Sequence, residues 1–183
     1  MKIFLVGVSC VGKTTIGKHL ADWIEYQFID FDEEIEEYFL MPISKIKAQF
    51  FSERSFRTEA CKILKQITEQ NGDSVVALPP SGLMDSYWRI LKKSDSIIIV
   101  LKDRPENILD RITFFDEDSM PIHKELTPKE RVHCLKDIKR DMTYFGKSYS
   151  RAHHTVDIAG LGIEGSVGKI INCLQEKPDI LTI

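Results

Sequence analysis

The chain has 183 residues, 43% hydrophobic and 29% charged, with 25 Lys+Arg against 28 Asp+Glu for a formal net charge of −3. That length predicts one domain over residues 1–183, and the apolar fraction excludes a mainly disordered chain. No run of about 18 apolar residues occurs, which excludes a membrane-spanning helix, and the slight acidity removes any global electrostatic argument for nucleic acid or an anionic membrane. The first apolar stretch is broken by Gly7 and Gly12 too soon for a signal peptide. A cytoplasmic monomer is the expectation.

Residues 3–6 (IFLV) read as a short buried strand ended by Gly7. Directly after it, residues 7–14 read GVSCVGKT, which fits G-x-x-x-x-G-K-[ST]. At this chain's own residue frequencies a chance match is expected in about six such chains per thousand. Glycines let the backbone curl so that successive N–H groups face phosphate oxygens, and the positive end of a following helix adds to the pull. Lys13 would reach the β- and γ-phosphates and the Thr14 hydroxyl would ligate Mg²⁺. The candidate nucleotide-binding residues are Gly7, Ser9, Cys10, Val11, Gly12, Lys13, Thr14 and Thr15. Ile16, Leu20, Trp23 and Ile24 then recur at helical spacing across residues 13–26.

Residues 27–29 form a second strand candidate, followed by DFDEEIEE at 30–37, six acids in eight residues. The four glutamates read as a solvated helix face. Asp30 and Asp32 fall where a parallel strand ends, the place where such sheets bind ligands. Two apart on an extended segment, they would face one cleft, one holding Mg²⁺ through water and the other orienting or deprotonating a substrate hydroxyl.

Phe56, Ala60, Ile63, Leu64 and Ile67 form a helical stripe stopped by Gly72. Residues 75–78 read as a third strand, stopped by Pro79 and Pro80, and 97–101 as a fourth. The run Asp103-Arg104-Pro105-Glu106 looks like a helix-capping box, and Thr127-Pro128-Lys129-Glu130 repeats it before Val132, Leu135, Ile138 and Met142. Residues 113–126 are polar and weakly periodic, open to reading as a mobile flap or a plain loop. Residues 155–158 make a fifth strand, and a last helix over 164–175 carries Val167, Ile170, Ile171 and Leu174. Strands alternating with helices predict an α/β protein, a three-layer α/β/α sandwich around a five-stranded parallel sheet.

The four cysteines (Cys10, Cys61, Cys134, Cys173) have no metal-ligand spacing. Cys61 and Cys173 read as buried core thiols and Cys10 as a loop thiol. His153 and His154 are adjacent, share no face, and read as surface residues before a strand. No N-K-x-D guanine signature occurs, which argues against a GTP switch.

GVSCVGKTT, FIDFDEEIE, SERSFRTEA and KRDMTYFGKSYSRAHHTVDI together resemble the shikimate kinase family over about residues 3–174. The resemblance implies the P-loop kinase fold, use of ATP and Mg²⁺, phosphoryl transfer to the hydroxyl of a small anionic acid, and a place in aromatic amino acid biosynthesis. By the same resemblance Asp30 holds Mg²⁺ through water, and Asp32 contacts the substrate hydroxyls and acts as base. Arg57 and Arg140 bind the substrate carboxylate, Gly82 lies at the substrate, Arg111 packs on adenine, and residues 113–126 form the lid. The sequence departs from the family in three places. Leu78-Pro79-Pro80-Ser81-Gly82 stands in the place of a usual glycine triplet, Met120 stands where the lid carries an arginine, and Ala60 replaces an acid. An alternative reading therefore stays open: an ATP-binding regulatory module with weak or no kinase activity.

Overall fold

The computed structural model describes residues 1–175; residues 176–183, included in the expected single unit, lie outside the described residues. Strands β1 (Lys2–Val6), β2 (Gln27–Asp30), β3 (Ser74–Ala77), β4 (Ser96–Lys102) and β7 (His154–Asp157) form one parallel sheet in the order β2-β3-β1-β4-β7. A separate antiparallel hairpin joins β5 (Phe114–Phe115) to β6 (Pro121–Ile122). Helices α1 (Lys13–Trp23), α2 (Phe31–Phe39), α3 (Ile43–Ala48), α4 (Glu53–Glu69), α5 (Asp85–Leu91), α6 (Pro105–Asp110), α7 (Pro128–Tyr149) and α8 (Ile163–Gln175) supply the crossovers and cover both faces. No described helix is long and apolar enough to cross a membrane.

Strand composition follows from position. The Ile3–Val6 run of β1 and the Ile97–Leu101 run of β4 are apolar without alternation because each strand has a parallel neighbour on both sides and helices above and below. Phe4, fully buried, lies level with Val76 on one side and Ile98 on the other. The chain leaves β1 toward β2 on one side and later crosses to β4 on the other, so the sheet's switch point lies at the carboxyl end of β1. Register places Asp30 beside Ala77 and Val6 beside Val100. The loop after β1, the end of β2 and the turn after β3 are thereby brought to one edge.

The helix stripes over 56–67 and 164–175 are buried as the spacing predicts. The box at Thr127 forms: Thr127 N–H donates to Glu130 Oε2 at 2.9 Å and Glu130 N–H to Thr127 Oγ1 at 3.3 Å. The one expected over residues 103–106 does not. Arg104 holds the cap position without a side-chain bond, because the buried Asp103 carboxylate accepts instead from Arg104 N–H, Asn107 Nδ2 (both 2.7 Å) and Arg111. α1 stops at Trp23, three residues early, where Glu25 turns left-handed and Trp23 faces solvent. In α7 only Ile138 of the expected stripe is buried; Leu135 and Met142 are half-buried, and Val132 is exposed. Cys61 and Cys173 are half-buried rather than core. His153 is exposed, yet its Nδ1 accepts Ile98 N–H at 2.9 Å and fixes the entry to β7.

The long α7 is pinned to the turn after β3 by Tyr149, whose hydroxyl donates to the Pro80 carbonyl at 3.1 Å. The side chain is 6% exposed, so its removal leaves that carbonyl short of a partner. Tyr149→Phe is expected to lower stability by about 1 kcal/mol, read as a lower urea midpoint with an unchanged slope.

Candidate active site

The loop over residues 7–14 is built by conformation as much as by residue type. Gly7 (φ 152°) and Gly12 (φ 110°) occupy the region that side chains avoid, and a Cβ on Gly7 would lie 2.7 Å from the Leu101 carbonyl oxygen. Cys10 also turns left-handed at φ 59°. Gly12 caps α1, and Val11 N–H closes the loop on the Val8 carbonyl at 3.4 Å. Ser9 and Thr15 are exposed at the rim, and Val11 is buried. Lys13 Nζ donates to the carbonyls of Gly7 and Val8, each at 3.0 Å, so its ammonium is folded over the loop's mouth. Burial pulls Lys13 down to about 8, against the opposing pull of Asp32, Cys10 and Asp30.

Thr14 Oγ1 donates to Asp30 Oδ2 at 2.8 Å. Asp30's other oxygen accepts Asp32 N–H at 3.1 Å, which makes Asp30 the cap of α2. One carboxylate therefore joins the phosphate loop to the acidic strand end. Two hard oxygen donors side by side, next to the phosphate loop, fit a Mg²⁺ carried in with phosphates.

Asp32 is not on an extended segment. It sits in the first turn of α2, because Asp30 has already capped the helix. Burial drives its carboxyl above the usual carboxylate range, and the nearby charges divide: Lys47 and Lys13 lower it, while Asp30 and Glu36 raise it. Lys47 belongs to α3, a helix the sequence spacing did not reveal; its ammonium lies 5.4 Å from the Phe56 ring centroid. The next residue, Arg57, is half-buried on α4 with Glu53 3.7 Å away as its ion-pair partner. Behind these groups the fully buried Tyr87 packs edge-on to Phe31, the residue between the two aspartates, at 5.6 Å. Sequence spacing had no means to find Lys47 or Tyr87, since both act across elements.

The remaining predicted residues are less gathered. Gly82 is buried, and its N–H is spent on the Pro79 carbonyl at 2.8 Å inside the turn. Arg140 is 73% exposed on α7 and pairs with Asp137 at 3.1 Å. Among the described residues no hydrogen bond or ion pair links it to Asp32 or Arg57. Arg111 lies beside the phosphate loop, its Nε donating to the Cys10 carbonyl at 3.4 Å while the guanidinium pairs with Asp103. Asp103 is buried, which alone would raise its carboxyl, yet Arg111, Asn107 and the Arg104 N–H hold it below the usual range.

Residues 113–126 contain the β5–β6 hairpin, and its tip is docked. Ser119 Oγ donates to Glu36 Oε1 at 2.7 Å, Ser44 Oγ donates to the Glu117 carbonyl at 2.8 Å, and Lys45 pairs with Asp118. The same Glu36 oxygen accepts Ile43 N–H at 2.7 Å, so one carboxylate holds both the α2–α3 turn and the flap. Met120 is 60% exposed.

Two predictions follow from this electrostatic arrangement. Folding lowers the Lys13 pKa, so the unfolded chain binds more protons between about pH 8 and 10.5. The cost of burying the ammonium is complete below pH 8 and fades as pH rises to 10.5. Lys13→Met removes that term, so its stability relative to the native chain should fall by on the order of 2 kcal/mol over this window, measured by urea unfolding at each pH. Glu36→Ala releases two charge-assisted bonds, and amide exchange over residues 114–122 should speed up by about tenfold or more, read by hydrogen-exchange mass spectrometry.

A sequence model of the shikimate kinase family matches residues 9–175. The chain is 34% identical over 178 residues to a shikimate kinase of Oceanobacillus iheyensis, covering 97% of this chain and 92% of that protein. The fold superposes on a shikimate kinase from Bacteroides thetaiotaomicron with a TM-score of 0.79 at 22% identity, covering 96% and 98% of the two chains. A shikimate kinase from Acinetobacter baumannii, solved in complex with shikimate, gives 0.74 at 25% identity, covering 96% and 93%.

Proposed function

The chain belongs to the shikimate kinase family, and we propose that it transfers the γ-phosphoryl group of ATP to a hydroxyl of shikimate. The observation that carries this reading is the 2.8 Å bond from Thr14 to Asp30, which joins a phosphate loop to an acidic strand end at the sheet's switch point. Coverage of nearly the whole length of the Oceanobacillus enzyme favours the enzyme over a regulatory module.

In this reading the phosphates lie along the N–H groups of residues 7–14, and Lys13 leaves the Gly7 and Val8 carbonyls to meet the β- and γ-oxygens. Thr14, and Asp30 through water, would hold Mg²⁺, which would screen the charge between those phosphates. Arg111, steadied by Asp103 beside Cys10, offers its planar face to adenine. On the acceptor side Arg57 pairs with the substrate carboxylate, and Arg140 joins it only by exchanging Asp137 for that carboxylate. Gly82 shapes the turn beneath the acceptor and is not a donor to it, its N–H being already used. Asp32 takes the hydroxyl proton as the acceptor oxygen bonds to the γ-phosphorus and the bond to the β-phosphate oxygen breaks, releasing ADP. A carboxyl raised by burial is a stronger base for that step. The flap, docked on α2 and α3, excludes water during transfer.

The test is ADP release with shikimate and a panel of other hydroxy acids. Shikimate should be the acceptor, and Lys13→Ala should cut turnover by about 10³-fold or more while its melting temperature stays within a few degrees of the native chain. Undiminished transfer by Lys13→Ala would sink the site assignment.

A further inference from the structure

Tyr87 carries a polar atom that the fold leaves unused. It is fully buried, and among the described residues its hydroxyl has no hydrogen-bond partner. An isolated buried hydroxyl is unfavourable, and a phenylalanine would fill the same space without that penalty. Ser74 is likewise unpartnered, but it begins β3, at the far end of the sheet from the phosphate loop. Tyr87 lies at the near end. Its ring meets Phe31 edge-on, with Asp30 and Asp32 on either side of that phenylalanine in the chain. The ionisable groups close enough to act on its oxygen are Cys61, Asp32, Arg57 and Glu53, two of which bracket the acceptor. Burial raises the phenol's pKa, so it stays protonated and able to donate.

The turn preceding α5 shows what this hydroxyl is for. Pro79 and Pro80 have no N–H to offer, and the Gly82 N–H is consumed by the Pro79 carbonyl. Pro79, Pro80 and Gly82 thus give the acceptor side no backbone donor, while an idle hydroxyl lies three residues into the next helix. We propose that Tyr87 is a substrate-contacting residue, whose hydroxyl donates a hydrogen bond to an oxygen of the hydroxy acid held between Asp32 and Arg57. This rests on the acceptor reading given above. The hydroxyl is sealed from solvent in the ligand-free fold, so the contact forms as the acceptor enters and the pocket widens around it.

Tyr87→Phe in the full chain tests this, with shikimate and ATP as probes. The ligand-free melting temperature should hold or rise, because the variant loses only an unpaired hydroxyl. The KM for shikimate should rise about tenfold with the KM for ATP unchanged, and the melting-temperature increase produced by shikimate should shrink. An unchanged shikimate KM in the variant overturns the proposal. So does a lower ligand-free melting temperature with both KM values raised alike, which would assign the hydroxyl to the fold through a buried water. A native chain that neither binds nor phosphorylates shikimate overturns the acceptor reading and this proposal together, a result seen before any variant is made.

Discussion

The bond between the Thr14 hydroxyl and the Asp30 carboxylate is the contact on which the rest of the site depends. Asp30 has two oxygens and uses them in different directions, one toward the phosphate loop and one toward the first N–H groups of α2. The same side chain therefore fixes the start of the helix that carries Asp32, Ile35 and Glu36. Glu36 in turn holds the α2–α3 turn and the flap tip. A chain of polar contacts runs from the phosphate loop to the tip of the β5–β6 hairpin.

Several groups of the candidate site are held in states that folding alone would not choose. Burial takes the Lys13 ammonium down and the Asp32 carboxyl up, and Tyr87 keeps a hydroxyl with no partner. Elsewhere Asp103 has three donors and Tyr149 reaches a carbonyl, while Ser74, at the far end of the sheet, shares with Tyr87 an unpartnered hydroxyl. What sets the candidate site apart is that its strained groups include charges, Lys13 and Asp32, which phosphate and a hydroxyl-bearing acid would engage.

What could be read from the sequence was whatever depends on neighbours along the chain. The phosphate loop, the apolar β4 run, the α4 stripe and the Thr127 box each declare themselves within about ten residues. The role of Asp32 as a helical residue depended on Asp30 capping first, a competition between extended and helical backbone that acidic composition does not settle. α3 and α5 are too short for periodicity, and they carry Lys47 and Tyr87. Arg140 shows the reverse limit: its place in a motif was legible, but the rotation of α7 leaves its guanidinium exposed beside Asp137. The Asp103 box failed for a related reason, because Arg111, eight residues on, competes for the same carboxylate.

The loss of an arginine at Met120 separates two tasks that a flap can combine, closing over the site and supplying charge. Closure here is carried by Ser119, Asp118 and the Glu117 carbonyl against α2 and α3, none of which brings a cation toward the phosphates. Positive charge near Asp32 comes instead from fixed elements, Lys13 on α1 and Lys47 on α3, with Arg57 on α4 beside them. A cation mounted on the body of the fold does not depend on where the hairpin lies. The positive field at Asp32 is then set by α1 and α3, and an exposed methionine at the hairpin's tip is no handicap to it.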